Sequence, residues 1–319
     1  MRGSGRADSQ LHYNSQEVTV IAFAPCNAVQ RTLNKTLAAT TGTIPQLYNF
    51  GDFKYFKSPL IVLDTCTNMN ALTYCKSIPP PNTLDSYNAA IGERPGNATD
   101  SNGRRKKRGV GEHTKFWSPG KTLKILVYKY NEHSFEAVKK GATKWLPHIN
   151  LKFDFLELDE EDIYNSEAFL GDIRVDFQPR FNDGGSSRFG TDALTGSPHD
   201  ASMSLGTNFS SPHYQRTVIH EFGHALGLHH EHQHPDAKIP WDREKTYSYY
   251  ARAFGFSRQE VDENVFPVER VPGKTYTPYD RQSVMHYKVL NELTIGDWHQ
   301  AASMHISEGD IALVKKAYP

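Results

Sequence analysis

The chain has 319 residues, 38% of them apolar and 12% aromatic, enough to bury one large core or two ordinary ones. Lys and Arg together number 36, and so do Asp and Glu, a balance without the basic excess expected of a nucleic-acid or anionic-membrane binder. No apolar run approaches the roughly eighteen residues that mark a membrane span, so none is expected.

The first thirty residues do not read as a signal peptide, because the apolar stretch from Val18 to Pro25 is short, late and preceded by polar and acidic residues. The three cysteines, Cys26, Cys66 and Cys75, all fall in the first quarter of the chain. Cys66–Cys75 is the plausible disulfide if the protein is exported. Near residue 80 the composition changes. The stretch 77–109, SIPPPNTLDSYNAAIGERPGNATDSNGRRKKRG, is rich in Pro, Gly, Asn and Ser and lacks hydrophobic periodicity, so it reads as an exposed linker. It ends in five basic residues, Arg104 to Arg108, followed by Gly109. Such a run can be a solvated charge cluster or a nuclear-import patch. Its place between a linker and an ordered region favours cleavage by a convertase that cuts after paired basic residues. On that reading 1–108 is a pro-region and 109–319 is the functional domain.

Beyond the linker the pattern becomes orderly. KTLKILVYKY, 121–130, predicts a strand, and SFEAVKKGATKWL, 134–146, a helix with Ser134 as its N-cap. INLKFDFLEL, 149–158, alternates through Ile149, Leu151, Phe153 and Phe155, then slips phase at Leu156 and Leu158, as a bulge or strand end would cause. DIRVDF, 172–177, is a short strand, GGSSRFGTDAL, 184–194, a flexible loop, and ASMSLG, 201–206, an edge strand able to hold an extended peptide. A helix follows at 217–226, and SEGDIALVKKAY, 307–318, closes the chain with Ser307 and Asp310 as a capping box. This order predicts an α+β fold with helices packed on one side of a sheet.

TVIHEFGHALGLHHEHQHP, 217–235, holds six of the fifteen histidines. His220 and His224 are four apart and share a helix face, so both can reach one ion. Gly227 can end the helix in a left-handed turn and return His230 as a third ligand. Three imidazoles with an open position are a catalytic type of zinc site, in which bound water has its pKa lowered to roughly 7. Glu221 lies where a carboxylate can take the proton of that water. His229, His232 and His234 read as surface or supporting residues without a ligand role.

About sixty residues on, SVMHY supplies Met285 and Tyr287. HEFGHALGLHHEH together with SVMHY resembles the astacin family, within the metzincin clan of zinc metalloproteases, over about 115–319. The resemblance implies a twisted, mostly parallel sheet with an active-site helix above a cleft and a more irregular C-terminal half. It implies one zinc on His220, His224 and His230, Glu221 as general base, and Met285 as hydrophobic floor. Tyr287 would be a further ligand or a transition-state donor that swings aside. It also implies that cleavage after Arg108 frees Gly109, eight residues before Trp117, to pair with Glu231. Latency would come from Asp52 of NFGDF, 49–53, set on the zinc, or from a thiolate of Cys26 or Cys75. FLGDI, 169–173, matches the family's blocking pattern better, but Asp172 more simply begins a strand. The family's two disulfides are absent here, and the continuation after the third His matches only in part.

The resulting expectation is a zinc-dependent endopeptidase acting on protein or peptide substrates, made as a zymogen. Asn34, Asn97 and Asn208 begin N-x-S/T sequons, which with the processing site favour an extracellular location. A metzincin cutting another peptide class and a non-catalytic zinc-binding or adhesion module remain the alternatives.

Overall fold

The computed structural model describes residues 75–98, 113–269 and 277–319. Its strands are β1 (Cys75–Ser77), β2 (Thr122–Tyr128), β3 (Lys152–Leu158), β4 (Ile173–Phe177), β5 (Gly185–Ser187) and β6 (Met203–Leu205). Its helices are α1 (Thr83–Glu93), α2 (Ser134–Ala142), α3 (Glu160–Tyr164), α4 (Tyr214–Ala225), α5 (Arg243–Phe254), α6 (Arg258–Asn264) and α7 (Glu308–Ala317). These strands form one sheet in the order β1-β5-β6-β4-β2-β3, in which the β5–β6 pair is antiparallel and the others are parallel. This is the α+β, mostly parallel architecture expected.

The central strands alternate: one face is apolar and buried in the core, while the other carries Lys124 of β2 and Arg174 and Asp176 of β4. Leu123, Ile125, Leu126 and Val127 of β2 are wholly buried, as are Ile173 and Val175 of β4. Helices α2 and α4 pack together, and Val218, Phe222 and Trp145 join the sheet in one core. A second cluster, with Tyr247, Tyr250, Phe256, Val261 and Phe266, supports the C-terminal half.

Several local expectations change. Helix α2 has Ser134 as its first residue and His133, without a side-chain cap bond, at its N-cap; Asn131 Oδ1, just before it, accepts from His133 N and Ser134 N. Strand β3 has no bulge: its pairing with β2 runs unbroken from Lys152 to Leu158, and Leu156 and Leu158 are only half-buried on the sheet's outer strand. Strand β6 is internal. Beyond it lies β5, within the supposed flexible loop, and β1 is the outer strand on that side. The capping box at Ser307 and Asp310 forms as expected.

The expected linker, 77–109, is ordered over residues 77–98. It belongs to the same compact unit, Met69–Pro319, as the rest of the described chain. Asn82 caps α1, Ala90 is wholly buried, and Ser86 Oγ donates to Asp192 Oδ1 at 2.5 Å. Arg94 Nη1 donates to Ala317 O at 2.7 Å. Asn97 is also no glycan site in this fold. It is buried, its Nδ2 donates to Ala90 O and Phe116 O, and its Oδ1 accepts from Thr114 Oγ1 and Phe116 N. Cys26, Asn34, Asp52, Cys66, Arg108 and Gly109 lie outside the described residues.

Candidate metal centre

Helix α4 presents His220, Glu221 and His224 from its buried side, all three wholly inaccessible. The helix ends on Gly227, whose φ of 90° is the left-handed conformation that favours glycine. Leu228 N donates to Gly223 O at 3.0 Å and Gly227 N to His224 O at 2.7 Å, the paired bonds of a Schellman stop. That turn brings His230 back over the helix. Its ring centroid lies 4.5 Å from that of His224 and 5.4 Å from that of His220.

The outer nitrogen of each imidazole is tied down. His220 Nδ1 donates to Val284 O at 2.8 Å, His224 Nδ1 to Leu228 O at 2.8 Å, and His230 Nδ1 to Gln233 Oε1 at 3.3 Å. Gln233 is oriented by its own donation to Glu263 O and Phe266 O. Burial holds all three rings below the usual imidazole range, His224 at about 3, so they are neutral. A neutral ring that donates through Nδ1 keeps a bare lone pair on Nε2. The Nε2 atoms of His224 and His230 nevertheless lie 2.9 Å apart, and His220 Nε2 has no hydrogen-bond partner. Three acceptors converging on one point, with no proton between them, fit a cation.

The fourth group facing that point is the thiol of Cys75. Its Sγ lies 3.4 Å from His230 Nε2 and 3.8 Å from His224 Nε2, and the four donor atoms all fall within 4.8 Å of one another. Three nitrogens and one sulfur suit zinc. The sequence implies a water-bearing open position; the structure has a protein sulfur there. Cys75 is a free thiol, so it is not disulfide-bonded to Cys66.

Glu221 abuts the sulfur. Burial pushes its carboxyl up to about 8, against the lowering effects of Cys75 and the Arg216 guanidinium. Tyr287 Oη donates to Cys75 O at 2.7 Å, so the tyrosine contacts the backbone of the inserted strand. Met285 is 2% exposed beneath the helix, and its carbonyl accepts from Glu231 N at 3.1 Å. Glu231 Oε1 accepts from Asp280 N at 2.7 Å, and burial with the nearby Asp310 and Asp280 pushes its carboxyl up to about 7.

Of the surface or supporting roles the sequence leaves open for His232, the structure gives the supporting one: it is wholly buried and stacks on Tyr287 with centroids 4.0 Å apart. One supporting residue is passed over altogether. Arg216 is buried and donates through Nη2 to Val284 O and His286 O, steadying the loop whose carbonyl holds His220. Only its spacing, four residues before His220 on the same helix face, could draw attention to it. His229 is exposed, as expected.

Residues 182–318 match the model of the peptidase family described as Astacin. Among solved structures, one of myroilysin is 33% identical, with a TM-score of 0.56, over 64% of this chain and 96% of that one. A crystal structure of myroilysin is 28% identical, with a TM-score of 0.53, over 79% of this chain and 93% of that one. No curated protein sequence matches significantly.

Proposed function

The chain belongs to the astacin family of zinc endopeptidases, and we propose that it is a latent precursor whose peptidase centre is plugged by Cys75. Its reaction is the hydrolysis of peptide bonds in proteins. The observation that carries the latency reading is the Cys75 sulfur facing the same point as three bare imidazole nitrogens. Four protein donors alone would describe a closed structural site. Glu221, which such a site does not need, argues for catalysis, as does the position of Cys75 upstream of the basic run.

In this reading His220, His224 and His230 hold zinc. Bound zinc supplies Lewis acidity, making a water acidic near neutral pH and polarising the scissile carbonyl. Glu221 takes the water proton on a carboxylate oxygen and delivers it to the departing amine. Once β1 leaves, Tyr287 Oη loses Cys75 O as its acceptor and is free to donate to the substrate carbonyl as negative charge develops there. Met285 closes the floor beneath the ligands, and Gly227 provides the turn that delivers His230.

Activation follows from the chain order. Cleavage after Arg108 by a convertase separates β1 and α1 from the catalytic part and leaves Gly109 as the new amino terminus. Glu231, part-buried among acidic neighbours, is the acceptor for that ammonium. A convertase site and the family assignment together favour an extracellular protein. No helix among the described residues is long and apolar enough to cross a membrane.

The test compares zinc-loaded full chain, full chain carrying Cys75→Ala, and chain cleaved at the basic run, on an unstructured protein substrate. Silent wild type, active Cys75→Ala and a processed amino terminus at Gly109 are expected. Full-length wild type as active as the cleaved form would refute latency.

A further inference from the structure

Beside the sulfur, the inserted strand makes a second specific contact. Lys76 reaches into the C-terminal half, where its ammonium pairs with Glu260 Oε1 and sits 5.4 Å from the centre of the Phe256 ring. The backbone on either side is held across the cleft. Ser77 N donates to Asn264 Oδ1 at 3.3 Å, and Ile78 N donates to Ser187 O at 3.0 Å.

The two walls around Lys76 are fixed independently of it. Phe256 is 6% exposed, packed against Tyr250 and Phe254 with centroids 5.8 and 6.0 Å away. Glu260 belongs to the capping box of α6: its Oε2 accepts from Ser257 N at 2.8 Å and from Ser257 Oγ at 3.0 Å. Oε1 is therefore the oxygen turned to the cleft. The other acids of α6 are engaged elsewhere, Asp262 by Arg243 and Tyr247, Glu263 by Gln259. With β1 in place, Lys76 and then Ser257 hold the Glu260 carboxyl down at about 2.

We propose that Glu260 and Phe256 form a substrate subsite for a lysine or arginine side chain directly flanking the scissile bond. This rests on the reading that β1 plugs the peptidase cleft. An extended peptide that replaces β1 on β5 sets one residue over the metal centre and its neighbour at the Lys76 position. A lysine there lays its methylenes on the ring and its ammonium on Oε1. An arginine stacks its guanidinium on the same ring and offers two parallel donors to the carboxylate. Lys76 then occupies, in the latent chain, the place of the substrate's basic residue.

The zinc-loaded full chain, activated by cleavage at the basic run, is given fluorogenic peptides that differ only in Lys or Met beside the scissile bond, on either side in turn. On one side the Lys/Met ratio of kcat/KM is expected to be about five, the scale of a partly exposed ion pair. It should fall to about one in Glu260→Gln, and Glu260→Lys should favour a glutamate at that position instead. Gln retains an acceptor for Ser257, and a ratio within one preparation cancels differences in folded fraction. A wild-type ratio near one on both sides, or a ratio that Glu260→Gln leaves unchanged, overturns the subsite. Wild type that cuts neither peptide overturns the peptidase reading and the subsite with it, whereas cutting without lysine preference overturns the subsite alone.

Discussion

Gly223 lies on α4 between His220 and His224, directly over Met285. A Cβ added there would sit 2.3 Å from Met285 Sδ, 3.1 Å from its Cε and 3.3 Å from Trp145 Cζ2. Gly223→Ala should raise helix propensity by about 0.5–1 kcal/mol. Against that, the sulfur must retreat from 2.3 Å to at least the ordinary 3.4 Å. It must do so where Met285 is 2% exposed and Trp145 wholly buried. Overpacking of this kind costs about 1–3 kcal/mol, so with the propensity gain subtracted a net loss of about 1 kcal/mol is expected. The thioether is flexible, which keeps the cost out of the higher range. Displacing Met285 also moves the neighbouring Val284 carbonyl, which anchors His220, so zinc should bind more weakly. Urea unfolding of the zinc-free full chain measures the first effect, and competition with a chromophoric chelator measures the second. In Gly223→Ala/Met285→Ala the vacated volume accepts the new methyl, and the double variant should be at least about 1 kcal/mol more stable than additivity implies. Gly223→Ala as stable as wild type, or simple additivity in the double variant, would refute the packing argument.

Two further outcomes follow from the same centre. Glu221→Gln should lower kcat/KM of the activated chain by about 10²–10⁴ while zinc content stays at one per chain, the loss expected of a missing general base; retention of full activity would remove Glu221 from the mechanism. Acid should destabilise the zinc-free chain. Burial holds His286 at about 4, below the ordinary 6.5, so its contribution is complete above pH 6.5 and is lost as pH falls towards 4. At about 1.36 kcal/mol per pKa unit, His286 alone accounts for about 3 kcal/mol; His220, His224, His230 and His232 shift in the same direction and together outweigh the raised carboxyls of Glu221 and Glu231, which gain stability as pH falls. A Tm unchanged between pH 7 and pH 4.5 would contradict this.

What the sequence discloses is what local spacing can carry. His220, His224, Gly227 and His230 fall within eleven residues, and a helix followed by a left-handed glycine is enough to converge them. The capping box of α7 is likewise local. Strand order is not: β6 reads as an edge because nothing in ASMSLG tells that β5 and β1 lie outside it. Segment 77–98 reads as part of a linker because its Pro and Gly content is high and its apolar content low. Its order comes from distant partners, such as Asp192 for Ser86, 106 residues away. The same distance hides the role of Cys75, whose sulfur meets His224 across 149 residues. The sequence leaves His232 between a surface and a supporting role because burial under Tyr287 is a tertiary fact with no signature in a run of polar residues.

X-ray absorption at the zinc edge of the unprocessed, zinc-loaded chain tests the central claim most directly. Three nitrogen scatterers at about 2.0–2.1 Å and one sulfur at about 2.3 Å are expected, with the sulfur lost in Cys75→Ala. A first shell of nitrogen and oxygen alone in the wild-type chain would contradict the arrangement.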